Sequence, residues 1–118
     1  MNFDWSEYLK LADKLAKRND EASLRSSISR AYYGVFCIAR NILGYKNYKG
    51  KDVHQKVIDK LKQNGSEFPK KLGQYLDELR RARNKADYCE DLVISKKFAQ
   101  RMFELSWEIF SVFKLREP

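Results

Sequence analysis

The stretch 24-LRSSISRAYYGVFCIARNILG-44 decides the fold class. Leu24, Ile28, Ala31, Tyr32, Val35, Phe36, Ala39, Ile42 and Leu43 recur at intervals of three and four, the period of a helix face and not of a strand. The stripe is broad and long, which makes this helix the backbone of a core, and Gly44 suits its C-terminal stop. Immediately upstream, Asn19 and Asp20 supply a turn and an N-cap, because a short polar side chain accepts from the orphan amides of the next helix. Before them lies a helix over about 4–18, with Trp5, Tyr8, Leu11, Ala12 and Leu15 on one face.

Downstream, 45-YKNYKGK-51 is a polar loop, and Asp52 is placed to cap a shorter helix reaching about Gln63, with Val53, His54, Val57, Ile58 and Leu61 inward. The run 64-NGSEFP-69 breaks the chain, and Pro69 fits the first turn of a fourth helix, where its missing amide would be unpaired anyway. That helix is expected to reach about Glu90, burying Leu72, Tyr75, Leu76, Leu79, Ala82 and Ala86. Ser95 then caps a last helix in which Phe98, Met102, Leu105, Ile109, Val112 and Phe113 repeat at three and four. No sustained period-two run exists, and five glycines and two prolines are little turn material for a many-stranded sheet. The expectation is an all-α, up-and-down antiparallel bundle of four to five helices, a single domain over 1–118.

Composition excludes several classes. Hydrophobic content of 43% with 14% aromatic residues is that of a chain that folds. Cys37 and Cys89 are too few for a disulfide framework, and with one histidine they make no metal-ligand set, so neither a metal nor a cofactor is expected. No apolar run is long enough to span a membrane and no signal peptide is legible, so a cytoplasmic protein without membrane contact is expected. The net charge of +8 is concentrated: residues 46–88 hold twelve Lys/Arg against six Asp/Glu. Such a field attracts polyanions such as RNA, or an acidic partner; the plainer reading is a lysine-rich solvated surface.

The segment 80-RRARNKADY-88 concentrates charge within an amphipathic helix. Arg83 falls four residues after Leu79 and points toward the bundle or a groove on it, whereas Arg80 projects outward. A guanidinium inside needs hydration or hydrogen bonds, and Asp87 at i+4 is in reach; the alternative is an ordinary surface ion pair. On the second helix Arg30, Tyr33, Cys37 and Arg40 form a shoulder beside the stripe, readable as a dimer seam or as a half-buried core edge.

Together, 29-SRAYYGVF-36, Val53-His54, the Arg-rich helix ending in 86-ADY-88, and 93-VISKKFA-99 resemble the small stand-alone HEPN family of bacteria and archaea. The resemblance spans most of the chain and implies a helical bundle that often dimerises. Some members of that family are RNA-cleaving toxins, and others pair with a nucleotidyltransferase antitoxin, so a homodimer, RNA and such a partner are the expected associations. The cleaving members carry Arg, four to six residues, then His; the histidine moves a proton and the arginine stabilises the phosphorane. Here that pattern is incomplete, because neither 86–88 after Arg81 nor 88–90 after Arg83 contains histidine. Tyr88 is a poor replacement, with a reference pKa of about 10.

Two uses of the residues stay open. In one, the chain is a module binding RNA or a nucleotidyltransferase-type partner through Arg30, Tyr33, Arg80, Arg81, Asn84 and Lys85, or simply a structural dimer. In the other, it is a metal-independent ribonuclease whose non-standard site draws on Arg83, Asp87, Tyr88 and His54. His54, the only histidine, lies on the inner stripe of the third helix and serves either packing or that site.

Overall fold

The computed structural model describes residues 2–63 and 65–115. Among them are five helices and no strand: α1 (Ser6–Ala16), α2 (Glu21–Ile42), α3 (Val53–Lys62), α4 (Lys70–Tyr88) and α5 (Lys96–Lys114). Helix α2 is the hub. It packs against α1, α4 and α5 and touches α3, while α3 leans mainly on α4. Val35, Ile28 and Tyr32 of α2 join Leu9, Leu61, Leu76, Leu79, Leu105 and Phe113 in one apolar cluster.

The helix ends follow from local chemistry. Asp20 caps α2 by accepting from the Ser23 amide at 3.0 Å, and Ser95 caps α5 by accepting from the Phe98 amide at 3.0 Å. Helix α2 stops in a Schellman turn, with the Tyr45 amide donating to the Arg40 carbonyl and the Gly44 amide to that of Asn41. That turn requires φ of +88° at residue 44, a conformation open to glycine.

Several boundaries depart from the sequence pattern. Helix α1 is shorter than expected, and its buried residues are Leu9, Ala12 and Ala16, with Leu11 exposed; Trp5, Tyr8 and Leu15 are only half-buried. Gly34 makes room on α2 for Leu9, from which a Cβ would be only 3.0 Å, and farther along the seam the Ala12 carbonyl accepts the Ser27 hydroxyl at 2.7 Å. Asp52 does not cap α3 but accepts the Tyr48 hydroxyl at 2.7 Å. Pro69 is extended (ψ 139°) and precedes α4 instead of entering it. Helix α4 ends at Tyr88, short of Glu90. Ile42 is exposed, and Tyr75, Phe98 and Val112 are half-buried. Asn64, part of the predicted break, lies outside the described residues.

The C-terminal end of α4 is held by Arg25, a residue that the hydrophobic pattern does not single out. Its Nη1 donates to the carbonyls of Lys85 (3.3 Å) and Ala86 (2.9 Å), and its Nη2 to those of Cys89 (3.0 Å) and Leu92. Its Nε donates to Glu21 at 3.0 Å, and Glu21 also accepts the Ile94 amide at 3.2 Å. Four guanidinium bonds are thereby used on one helix terminus and the loop after it, and the fifth on Glu21 of α2. The Ile94 amide first, and Arg25 second, hold the Glu21 carboxyl below its ordinary pKa. Replacing Arg25 with Ala strands several carbonyls and is expected to lower stability by about 2–3 kcal/mol. Lysine should restore little, since it lacks the planar fork. Urea denaturation of both variants beside the exposed-site control Arg101→Ala checks this.

Candidate functional site

Helices α2, α3 and α4 meet at an aromatic stack. Tyr32 and Phe36 lie one turn apart on α2 with rings nearly parallel (centroids 5.7 Å, 17°), and the imidazole of His54 stacks on Phe36 at 4.0 Å and 9°. His54 occupies the first turn of α3. Its Nδ1 is 2.5 Å from the Tyr32 hydroxyl. Tyr32 is fully buried, and burial drives its pKa far above the ordinary value, so it remains a phenol. A hydrogen bond between the two groups fixes the orientation of the imidazole against α2.

Arg83 enters this stack from α4. Its guanidinium carbon lies 5.5 Å from the Tyr32 centroid and 5.1 Å from that of Tyr33, so ring faces take the place of water around a side chain only 11% exposed. Its Nη1 is 4.0 Å from Asp87, which also accepts from Ser29 at 3.2 Å, and its Nε is buried with no hydrogen-bond partner among the described residues. The expectation that Arg80 projects outward is corrected: it is half-buried and donates to Gln55 of α3 at 3.2 Å. Steps of three and four residues both nearly close a helical turn, so positions 80, 83 and 87 share the flank that faces α2 and α3.

Arg40 completes the set from α2. Burial first, and then the charges of Arg80, Arg83 and Arg40, push the His54 pKa down to about 4. The positive end of the α3 dipole acts in the same direction. At neutral pH the centre is therefore an uncharged imidazole in the field of three arginines, with Asp87 in range of one of them, Arg83.

The other expected site residues lie elsewhere. Arg81 is exposed and bonded to Asp77 at 2.7 Å. Asn84 is exposed, and Lys85 is exposed on the flank toward α5, near Phe98 and Met102. Arg30 lies over the Tyr8 ring at 4.9 Å, on the α1 side of the bundle. Tyr88 is 74% exposed at the end of α4. The helix thus brings together His54, Arg80, Arg83, Asp87 and Tyr33, and leaves Arg30, Arg81, Asn84, Lys85 and Tyr88 apart from them. Tyr32 and Arg40 belong to the centre although hydrophobic patterning places one in the core and the other on its edge. The available signal was a phenol and an imidazole on inward stripes, each needing a polar partner. No group of three or more metal-ligating side chains occurs among the described residues.

The imidazole has a direct readout. Because its folded pKa lies below the unfolded value of about 6.5, the unfolded chain binds more protons between about pH 6.5 and 4. The His54 contribution to stability is present above pH 6.5 and is lost as pH falls toward 4. NMR titration should find the imidazole protonating near pH 4, and His54→Asn should flatten the stability profile across that window.

The model of the HEPN domain matches residues 6–116, nearly the whole chain and all five helices. No curated protein and no solved structure matches it. The helical architecture, the hub role of α2 and the extent of this match lead to one conclusion: the chain belongs to the HEPN domain family.

Proposed function

We propose that the protein binds RNA, taking backbone phosphate at the centre formed by Arg40, Arg80, Arg83 and His54. The observation that carries this reading is the charge imbalance there: three arginines depress one histidine, and the Arg83 guanidinium has only Asp87, at 4.0 Å, as a carboxylate partner among the described residues. A part-buried cation so weakly paired costs free energy, and an anion at this place offsets that cost. The excess of positive charge over residues 46–88 draws a polyanion toward it.

Binding is favoured over cleavage by the state of His54. A general base at neutral pH needs a pKa near 7 and a free nitrogen facing the substrate. Here the pKa is about 4, and Nδ1, engaged by the Tyr32 hydroxyl, does not face a substrate.

A second reading, a protein partner such as a nucleotidyltransferase, is favoured by the end of α4 and the loop after it, where Tyr88 and Val93 are 74% and 85% exposed. The two readings separate in solution. Fluorescence anisotropy with single-stranded RNA should show affinity falling steeply with salt, and Arg80→Ala or Arg83→Ala should each reduce the log–log salt slope by about 1. Bound phosphate should also raise the His54 pKa by neutralising the arginines around it. The RNA should stay intact without added metal. Cleavage abolished by Arg83→Ala or His54→Ala would establish the ribonuclease instead, and absence of binding at low salt would leave the protein partner as the better account.

A further inference from the structure

At the start of the chain three aromatic rings gather at the surface beside the arginine centre. Phe3, Trp5 and Tyr8 meet edge to face, with centroids 5.0 Å apart for Phe3 and Trp5, 5.5 Å for Phe3 and Tyr8, and 5.2 Å for Trp5 and Tyr8. The backbone beneath them is pinned: Asp4 accepts from the Ser6 amide at 3.0 Å and from the Ser6 hydroxyl at 2.7 Å. Trp5 packs against the core, whereas Phe3 leaves 49% of its surface in water. A phenylalanine so exposed, yet held in place by two other rings, presents an ordered apolar face at little further cost in conformational entropy.

The cluster is cationic at its edges. Arg30 lies over Tyr8 at 4.9 Å and Arg40 over Trp5 at 6.0 Å. Arg40 stands one turn beyond Phe36 on α2, the ring on which His54 stacks at 4.0 Å, so one helix face joins the aromatic cluster to the phosphate centre. Aromatic faces beside a cationic track are how proteins hold single strands without reading their sequence, since every base has a π-face and every linkage a charge. A duplex hides its base faces in the stack.

We infer that Phe3, backed by Trp5, is a base-stacking subsite for single-stranded RNA, adjoining the phosphate centre through Arg40. The inference rests on the phosphate reading above, and the experiment is arranged so that the two fail separately. With Trp107→Phe leaving Trp5 as the only indole, the full chain is titrated with a single-stranded RNA decamer, a ribose-phosphate decamer lacking bases, and AMP. The RNA should quench Trp5 fluorescence. The base-free decamer should bind with a similar salt dependence and no quenching. Phe3→Ala should weaken RNA about five- to tenfold, leave the base-free decamer unchanged, and be rescued by Phe3→Tyr but not by Phe3→Leu. The subsite is refuted if Phe3→Ala leaves RNA affinity intact or weakens both decamers equally. AMP competing as well as the RNA would overturn the single-strand assignment in favour of a free nucleotide. Failure of the unsubstituted chain to bind either decamer would refute the phosphate centre and this subsite with it.

Discussion

Helix α2 is enclosed by its neighbours along most of its length, and every polar group that it carries inward must therefore be matched by another element. Ser27 donates to the Ala12 carbonyl of α1 at 2.7 Å, Ser29 to Asp87 of α4 and Arg25 to the terminal carbonyls of α4, while the Tyr32 hydroxyl is hydrogen-bonded to His54 of α3. Each of these bonds sets a register that apolar packing alone leaves loose, because hydrophobic contact is non-directional and hydrogen bonds are not. Once Arg25 holds the C-terminus of α4, Arg83 lands over Tyr32 and Tyr33 and Asp87 over Ser29. The arginine centre is thus a consequence of how α2 satisfies its own polar side chains.

The same constraint accounts for the electrostatics. A guanidinium tolerates partial burial better than an ammonium, since it is weakly hydrated and its planar face stacks on rings. Arg83 exploits this against two tyrosines, while its one carboxylate stands at the limit of an ion pair. Close approach of α3 to α4 brings His54 into range: a Cβ on Gly73 would lie 3.2 Å from the Ile58 carbonyl. Three cations around a neutral imidazole make a site that gains from an anion.

Much of the fold is legible in the residues themselves. The period of Leu24 to Leu43 marks α2, and Asp20, Gly44 and Ser95 mark helix ends by their local chemistry. Where reading failed, a longer-range contact had won. Leu11 suits an apolar stripe better than Ala12 or Ala16, but Leu9, seated against Gly34, takes the inward side of α1 and leaves Leu11 exposed. Asp52 has the chemistry of a cap and is taken instead by Tyr48. Arg80 falls off the apolar stripe, yet leans across to Gln55 because α3 lies on that side. The Arg25 clamp spans sixty residues and more, and no local pattern announces it.

The sequence by itself determined the helices, most of their ends, the family resemblance, the excess of positive charge and the inward direction of Arg83, since periodicity, capping and composition are properties of neighbouring residues. Only the tertiary structure decided what Arg83 faces. The field of Arg40, Arg80 and Arg83 at His54, and the contact of its ring with the Tyr32 hydroxyl, depend on three helices meeting at one place. Burial then turns two ordinary titrating groups into a phenol that keeps its proton and an imidazole that stays neutral, because desolvation and neighbouring charge act through space and not along the chain.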